Sequence, residues 1–167
     1  AAPRGVPGRV LGLIALLPLF VVRPAPPSPG TFRMTVLDVG QGLAVVVTTH
    51  RHTLVYDTGP RYNDEADAGG RIVAPFLRAA GVGRLGGMIV THQDSDHSGG
   101  ALTLLQTTPA DWLASSLPEE HAILARQAAD GGAVLRCETG QRWAWDGVRF
   151  AVLQPTAALY AAPTGKP

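Results

Sequence analysis

A chain of 167 residues with 46% apolar and 6% aromatic content can bury one sizeable core and is too apolar for a disordered tail. Its net charge is +1, and 13 of its 14 basic residues are Arg scattered from Arg4 to Arg149, so no basic stripe for nucleic acid can be read from it. Cys137 is the single cysteine, which excludes an intrachain disulfide and leaves the redox compartment open; beside Ala133, Val134 and Leu135 it reads as a packed thiol.

Val10 to Val22 form an uncharged apolar run between Arg9 and Arg23. As a helix the run would reach about 20 Å against a hydrocarbon core of roughly 30 Å, and Pro18 interrupts it. Residues 1–23 therefore read as the end of a transmembrane region, with a signal peptide and a buried helix as rivals. The signal-peptide reading is weakened by a proline-crowded exit that lacks a small-x-small cleavage site. Residues 24–30 hold four prolines and read as a stiff extended linker, so a domain is expected over residues 31–167. With no initiator Met and no closing element after Thr164, the chain reads as a fragment, truncated at its C-terminus.

Phe32 to Val39 and Gly42 to Thr48 predict two strands joined at Gly40-Gln41-Gly42, and Thr53 to Tyr56 a third. Ile72, Val73, Phe76, Leu77 and Ala80 share one helical face, which predicts a helix over Gly70 to Ala80 stopped by Gly81. Met88 to Val90 predict a short buried strand. Ser98 is placed to cap a helix through Leu102 and Leu105 that ends at Thr107, Thr108 and Pro109. Pro118, Glu119 and Glu120 look like the first turn of another helix, closed by Asp130-Gly131-Gly132. Strands follow at Ala133 to Cys137 and Val148 to Leu153. The order is hairpins first and βαβ units later, an α/β domain without an internal repeat.

Potential ligands concentrate directly after the Met88 to Val90 strand, where His92, Asp94, Asp96 and His97 occupy four of six positions. Residues two apart, His92 and Asp94, point the same way in extended backbone, whereas the adjacent Asp96 and His97 need a bend. Such a loop can serve two metal ions with two ligands each, and ions about 3.5 to 4 Å apart can share a nucleophile. Gly99 and Gly100 allow close backbone approach. A polar surface turn capped by Asp and Ser is the plain alternative, and it explains neither histidine.

This cluster resembles the His-x-His-x-Asp-His motif of the metallo-β-lactamase superfamily, with Asp94 in place of the second His. Leu37-Asp38-Val39-Gly40-Gln41-Gly42, then Val45-Val46-Val47, then Leu54-Val55-Tyr56-Asp57-Thr58-Gly59, resemble the opening of the C-terminal hydrolase-like domain of ComEC-type DNA-internalisation competence proteins. That family usually carries His-x-Asp-x-Asp-His. The resemblance covers Arg9 to about Pro155 and implies the N-terminal part of an αββα sandwich, preceded by a short apolar membrane segment. It also implies two divalent ions, zinc or manganese, held by His92, Asp94, Asp96 and His97. Aspartate at position 94 shifts the expectation from zinc alone towards manganese or a mixture. Remaining ligands would come from downstream Asp and His residues that nothing after Asp146 supplies, so the site within this chain is expected to be incomplete.

Asp57 reads either as a buried carboxylate orienting His92 or His97 or as an Asx turn with Gly59. Asp38, at a comparable strand end, faces the same site or only shapes a glycine turn. His50 and His52 flank Arg51 at an expected exposed hairpin tip, and His121 is expected to be solvated. Trp143 and Trp145 lie on one face of a strand, read as core rather than as a platform for bases.

Two function classes follow. One is a metal-dependent hydrolase of phosphodiesters, a nuclease acting on DNA during uptake, with no catalytic side chain beyond the metal ligands. The other is a non-catalytic DNA-binding or gating module of a DNA-uptake channel; another hydrolase of the superfamily also remains open. The resemblance implies DNA, the membrane and other competence proteins as partners, no small-molecule organic cofactor, and a bacterial inner membrane location with the domain on the periplasmic side.

Overall fold

The computed structural model describes residues 8–21 and 24–161. Val22 and Arg23, at the end of the expected apolar run, and the residues from Ala162 onward lie outside the described residues. Helix α1, Gly8–Val21, holds 14 residues, and Val10, Leu11, Leu13, Ile14, Leu16 and Leu17 are all exposed on it. At 1.5 Å per residue it rises about 21 Å. Among the described residues no helix is long and apolar enough to cross a membrane.

The chain forms a mixed α/β fold built on one six-stranded sheet. Strands β1 (Arg33–Val36), β2 (Val45–Thr48) and β3 (Thr53–Tyr56) make an antiparallel meander. Strands β6 (Gly87–Val90), β7 (Trp112–Ser115) and β8 (Ala133–Arg136) continue it in parallel from β3. The register aligns Val46, Val55, Met88 and Leu113 in one row across four strands. All four are buried, on the face covered by α2 (Ala74–Ala79), α4 (Ala101–Thr107) and α5 (Ala122–Ala129). Leu77, Leu104, Leu105, Ile123 and Leu124 supply the helix side of this core. Each fully buried Leu contributes roughly 1.5–3 kcal/mol by removal from water.

Alternation along the strands sends Leu54, Ile89 and Ala114 to the other face, where they pack with Cys137. A hairpin of β9 (Arg142–Trp145) and β10 (Val148–Ala151) covers them with Trp143, Trp145 and Phe150. The ring of Trp143 stacks on Phe150 at 4.9 Å. Both tryptophans are thus core, as their alternation suggested, and Cys137 is a buried free thiol. Asp146 (φ 51) and Gly147 (φ 86) form the two-residue connection, whose positive φ pair matches the twist of a tight hairpin.

Several boundaries depart from expectation. Strand β1 ends at Val36, before the expected Val39. The helix expected over Gly70 to Ala80 divides into a wide π-type turn, Gly69–Val73, and α2. Gly69 and Gly70 occupy the start of that turn because Gly69 lies against the backbone of Gly100, where a Cβ would collide. Ser98 does not cap a helix: it closes the single turn α3, Ser95–Ser98, and its hydroxyl donates to the carbonyls of Gln93 and Asp94. Gly100 precedes α4 instead. Pro118 to Glu120 lie outside α5, which begins at Ala122 with His121 as its cap. The His121 Nδ1 accepts the Ile123 N–H at 3.3 Å, so this half-exposed histidine also caps the helix. A small hairpin of β4 (Arg61–Asn63) and β5 (Ala66–Asp67), unforeseen in the sequence, follows Pro60.

Candidate metal centre

Parallel pairing brings the C-terminal ends of β3 and β6 side by side, so Asp57 and Thr91 emerge at the same edge of the sheet. The Asp57 N–H donates to the Ile89 carbonyl at 2.9 Å, and its φ of 56 turns the chain away from the strand. This left-handed conformation is one that Asp tolerates better than most residues. The turn buries the Asp57 carboxylate completely.

That carboxylate is satisfied by three donor groups. The Thr91 N–H donates to Oδ1 at 2.8 Å, the Thr91 hydroxyl lies 3.0 and 2.8 Å from the two oxygens, and His97 Nδ1 donates to Oδ2 at 2.8 Å. Because an ionised carboxylate only accepts, the Thr91 hydroxyl spends its single proton on Asp57. Its oxygen is then an acceptor for His92 Nδ1 at 2.9 Å. Asp57 therefore fixes both imidazoles, His97 directly and His92 through Thr91. In each ring the proton is drawn to Nδ1, which leaves the Nε2 lone pair free to bind a metal. The Gly59 N–H goes to the Leu43 carbonyl, so Asp57 does not serve as an Asx turn with Gly59.

The two rings lie 4.2 Å apart, centroid to centroid. His92 Nε2 is 3.4 Å from Asp94 Oδ2, and His97 Nε2 is 3.8 Å from Asp96 Oδ2. Asp94 occupies the position before α3 in extended backbone yet makes no side-chain capping bond, so its carboxylate stays available. It is 69% exposed, against 23% for His97, which places the donors at a surface with one buried anchor beneath. Two imine nitrogens and two carboxylates suit borderline or hard divalent ions. Among the described residues no group of three or more His, Cys, Asp and Glu side chains converges on one point to hold an ion. The donor chemistry thus fits a divalent metal, and the number of ligands falls short of a closed site.

Backbone contacts fix the loop from below. The Thr58 N–H and hydroxyl both donate to the His97 carbonyl, at 2.8 and 3.1 Å, and the Leu43 N–H donates to the Asp96 carbonyl at 3.0 Å. Gly42, at φ 146, lies against the same Asp96 carbonyl, and a Cβ there would collide with it and approach Pro60 Cδ to 2.9 Å. The roles of Thr91, Thr58 and Gly42 were missed by sequence reasoning, although Thr58 and Gly42 stand in the motifs that carry the resemblance and Thr91 directly precedes the ligand cluster. Asp38 is exposed, and its Oδ1 accepts the Gly40 N–H at 3.2 Å, which is the turn role; no hydrogen bond joins it to the His92–His97 loop among the described residues. Burial, then the nearby Asp57 charge, pushes the Cys137 thiol up to about 11. It is therefore a protonated thiol and a poor ligand at neutral pH.

Residues 37–164 match the family model of the Metallo-beta-lactamase superfamily. The chain belongs to that superfamily. Within it the chain is similar to competence proteins of the ComEC type. It is 34% identical over 164 residues to Competence protein ComA of Neisseria gonorrhoeae, covering 98% of this chain and 21% of that protein. It is 32% identical over 128 residues to Recombination protein 2 of Haemophilus influenzae, covering 77% of this chain and 15% of that protein. With ComE operon protein 3 of Bacillus subtilis the identity is 29% over 156 residues, covering 83% and 20% respectively. The chain thus spans about a fifth or less of the length of these relatives.

Proposed function

We propose that this chain is part of a metal-dependent phosphodiesterase, a nuclease that acts on DNA during its uptake across a bacterial inner membrane. The observation that carries the reading is the double anchoring of His92 and His97 on Asp57, which leaves both Nε2 atoms free beside Asp94 and Asp96. His92 and Asp94, and Asp96 and His97, would hold two divalent ions, zinc or manganese, with further ligands from outside the described residues. When bound, such ions supply a nucleophile from water at neutral pH and offset charge on phosphate oxygens. The chain's own residues orient the ligands and hold the protons at Nδ1, and no Ser, Cys or His is assigned as a nucleophile.

DNA as substrate is supported by relatives named as competence and recombination proteins. The same names support other competence proteins as partners, and no small-molecule organic cofactor is part of this reading. Exposure of the apolar residues on α1 supports residues 1–23 as the end of a membrane-embedded region, with residues 24–30 leading to a periplasmic domain from residue 31. We infer that the complete domain closes into an αββα sandwich over the sheet face on which Met34 and Val36 remain exposed.

A second reading, a DNA-binding or gating module without turnover, is favoured by the lack of a three-ligand cluster among the described residues. The two are separated by incubating the purified full-length protein with linear DNA and with manganese or zinc in turn. The nuclease reading expects cleavage that a chelator abolishes. DNA binding without cleavage under every divalent ion, with native circular dichroism, would select the second reading.

A further inference from the structure

His50, Arg51 and His52 sit at the β2–β3 hairpin tip, expected only to be exposed. In the structure each has a partner. His52 Nδ1 donates to Asp146 Oδ2 at 2.9 Å, while the Arg51 N–H donates to Oδ2 at 2.8 Å and its Nε to Oδ1 at 3.2 Å. The Thr49 hydroxyl adds a fourth bond to the carboxylate, its third at Oδ2, at 2.7 Å. The Asp146 side chain is only 2% exposed, and Trp145 stacks on the His52 ring at 5.0 Å.

The proline segment is tied to the same assembly. Proline lacks an N–H but keeps its carbonyl, so such a segment can be held only through acceptors and its few other amides. The Pro27 carbonyl accepts from His50 Nδ1 at 3.0 Å, and the Ala25 carbonyl accepts from the Arg33 guanidinium at 3.1 Å. The Gly30 N–H donates to the Asp146 backbone carbonyl at 2.7 Å. Gly147, at φ 86, lies so close to Gly30 that a Cβ on Gly147 would stand 3.2 Å from Gly30 Cα. Three pieces distant in sequence, residues 25–30, the tip at Thr49–His52 and the Asp146-Gly147 turn, thus close on one another.

Strand register places this assembly. Arg33 pairs with Thr48, and Thr48 with Thr53, so the segment and the tip lie at the end of the sheet where β3 begins. The His92–His97 loop follows the other end, beyond Tyr56 and Ile89, which are themselves paired. Five residues from His52 to Asp57 at about 3.3 Å each separate the two ends by about 17 Å.

We propose that residues 24–30 are a docked strap, clamped by His50 and Asp146, which fixes where the preceding chain joins the domain, at the end of the sheet opposite the His92–His97 loop. A free tether would let the chain arrive from any direction; a clamped strap brings it in at the end of the sheet opposite the loop.

Hydrogen exchange on the full-length protein tests it, with His50→Ala as the deciding variant because among the described residues the exposed His50 ring bonds only the Pro27 carbonyl, and Asp146→Asn as a second. In the unsubstituted chain the Gly30 amide should exchange slowly. His50→Ala should speed its exchange by about fivefold or more, as expected for loss of one hydrogen bond, while amides of Met88 to Val90 stay unchanged. Asp146→Asn should speed exchange at Gly30, Arg51 and His52 together. Exchange at Gly30 in the unsubstituted chain at the rate of an unstructured peptide would overturn the proposal, as would an unchanged Gly30 rate in His50→Ala.

Discussion

At the scale of single residues the proposed ion binding depends on Asp57, a buried carboxylate that touches no position proposed for metal except through the ring of His97 and the hydroxyl of Thr91. Asp57→Asn keeps the volume and tolerates the same left-handed backbone, but it offers the rings an amide that can donate as well as accept. His97 then loses the charged partner that holds its proton at Nδ1. Metal affinity of the full-length protein, measured by competition with a chromophoric chelator, should fall roughly 10–100-fold with the fold retained. Unchanged affinity would mean that Asp57 has only a structural role. Cys137 stands apart from this chemistry: its buried thiol, held up to about 11, packs with Leu54, Ile89 and Ala114.

At the scale of elements, the β9–β10 hairpin is attached to the main sheet at its turn by Asp146 as well as on its face by aromatic packing. The hydrogen bond from His52, followed by that from Thr49, holds the Asp146 carboxyl well below its ordinary value of 3.8. A group lowered in the folded state binds protons less readily there than in the unfolded chain. Its stabilisation is therefore complete above about pH 4 and is lost as pH falls from there towards the folded value. Asp146→Asn should lower the thermal midpoint at pH 7, and the difference from the unsubstituted chain should shrink below about pH 4. A difference that is constant from pH 7 to pH 3, followed by circular dichroism, would remove the charge from this explanation.

At the scale of the whole molecule, the parts legible in the sequence were those governed by local pattern. Thr53 to Tyr56, Ala133 to Cys137 (one residue longer than β8) and the strand before His92 stood out by apolar runs, and the Trp143/Trp145 face by alternation. The ligand cluster was visible because all four candidates lie within six positions. What remained hidden depended on contacts between distant segments. The break in the helix before Ala74 follows from Gly69 meeting Gly100, and the anchoring of His92 runs through Thr91 to a carboxylate 34 positions earlier. The clamp of the proline segment joins positions 23 and 95 apart, which no periodicity reports.

The proposed role of the His92–His97 loop in holding ions for DNA cleavage is tested by the initial rate of divalent-dependent cleavage of linear DNA by the full-length protein and by its Asp96→Ala and His97→Ala variants. Both variants should keep the native circular dichroism spectrum and lose about two or more orders of magnitude in rate. Cleavage by either folded variant at the rate of the unsubstituted protein would contradict the account.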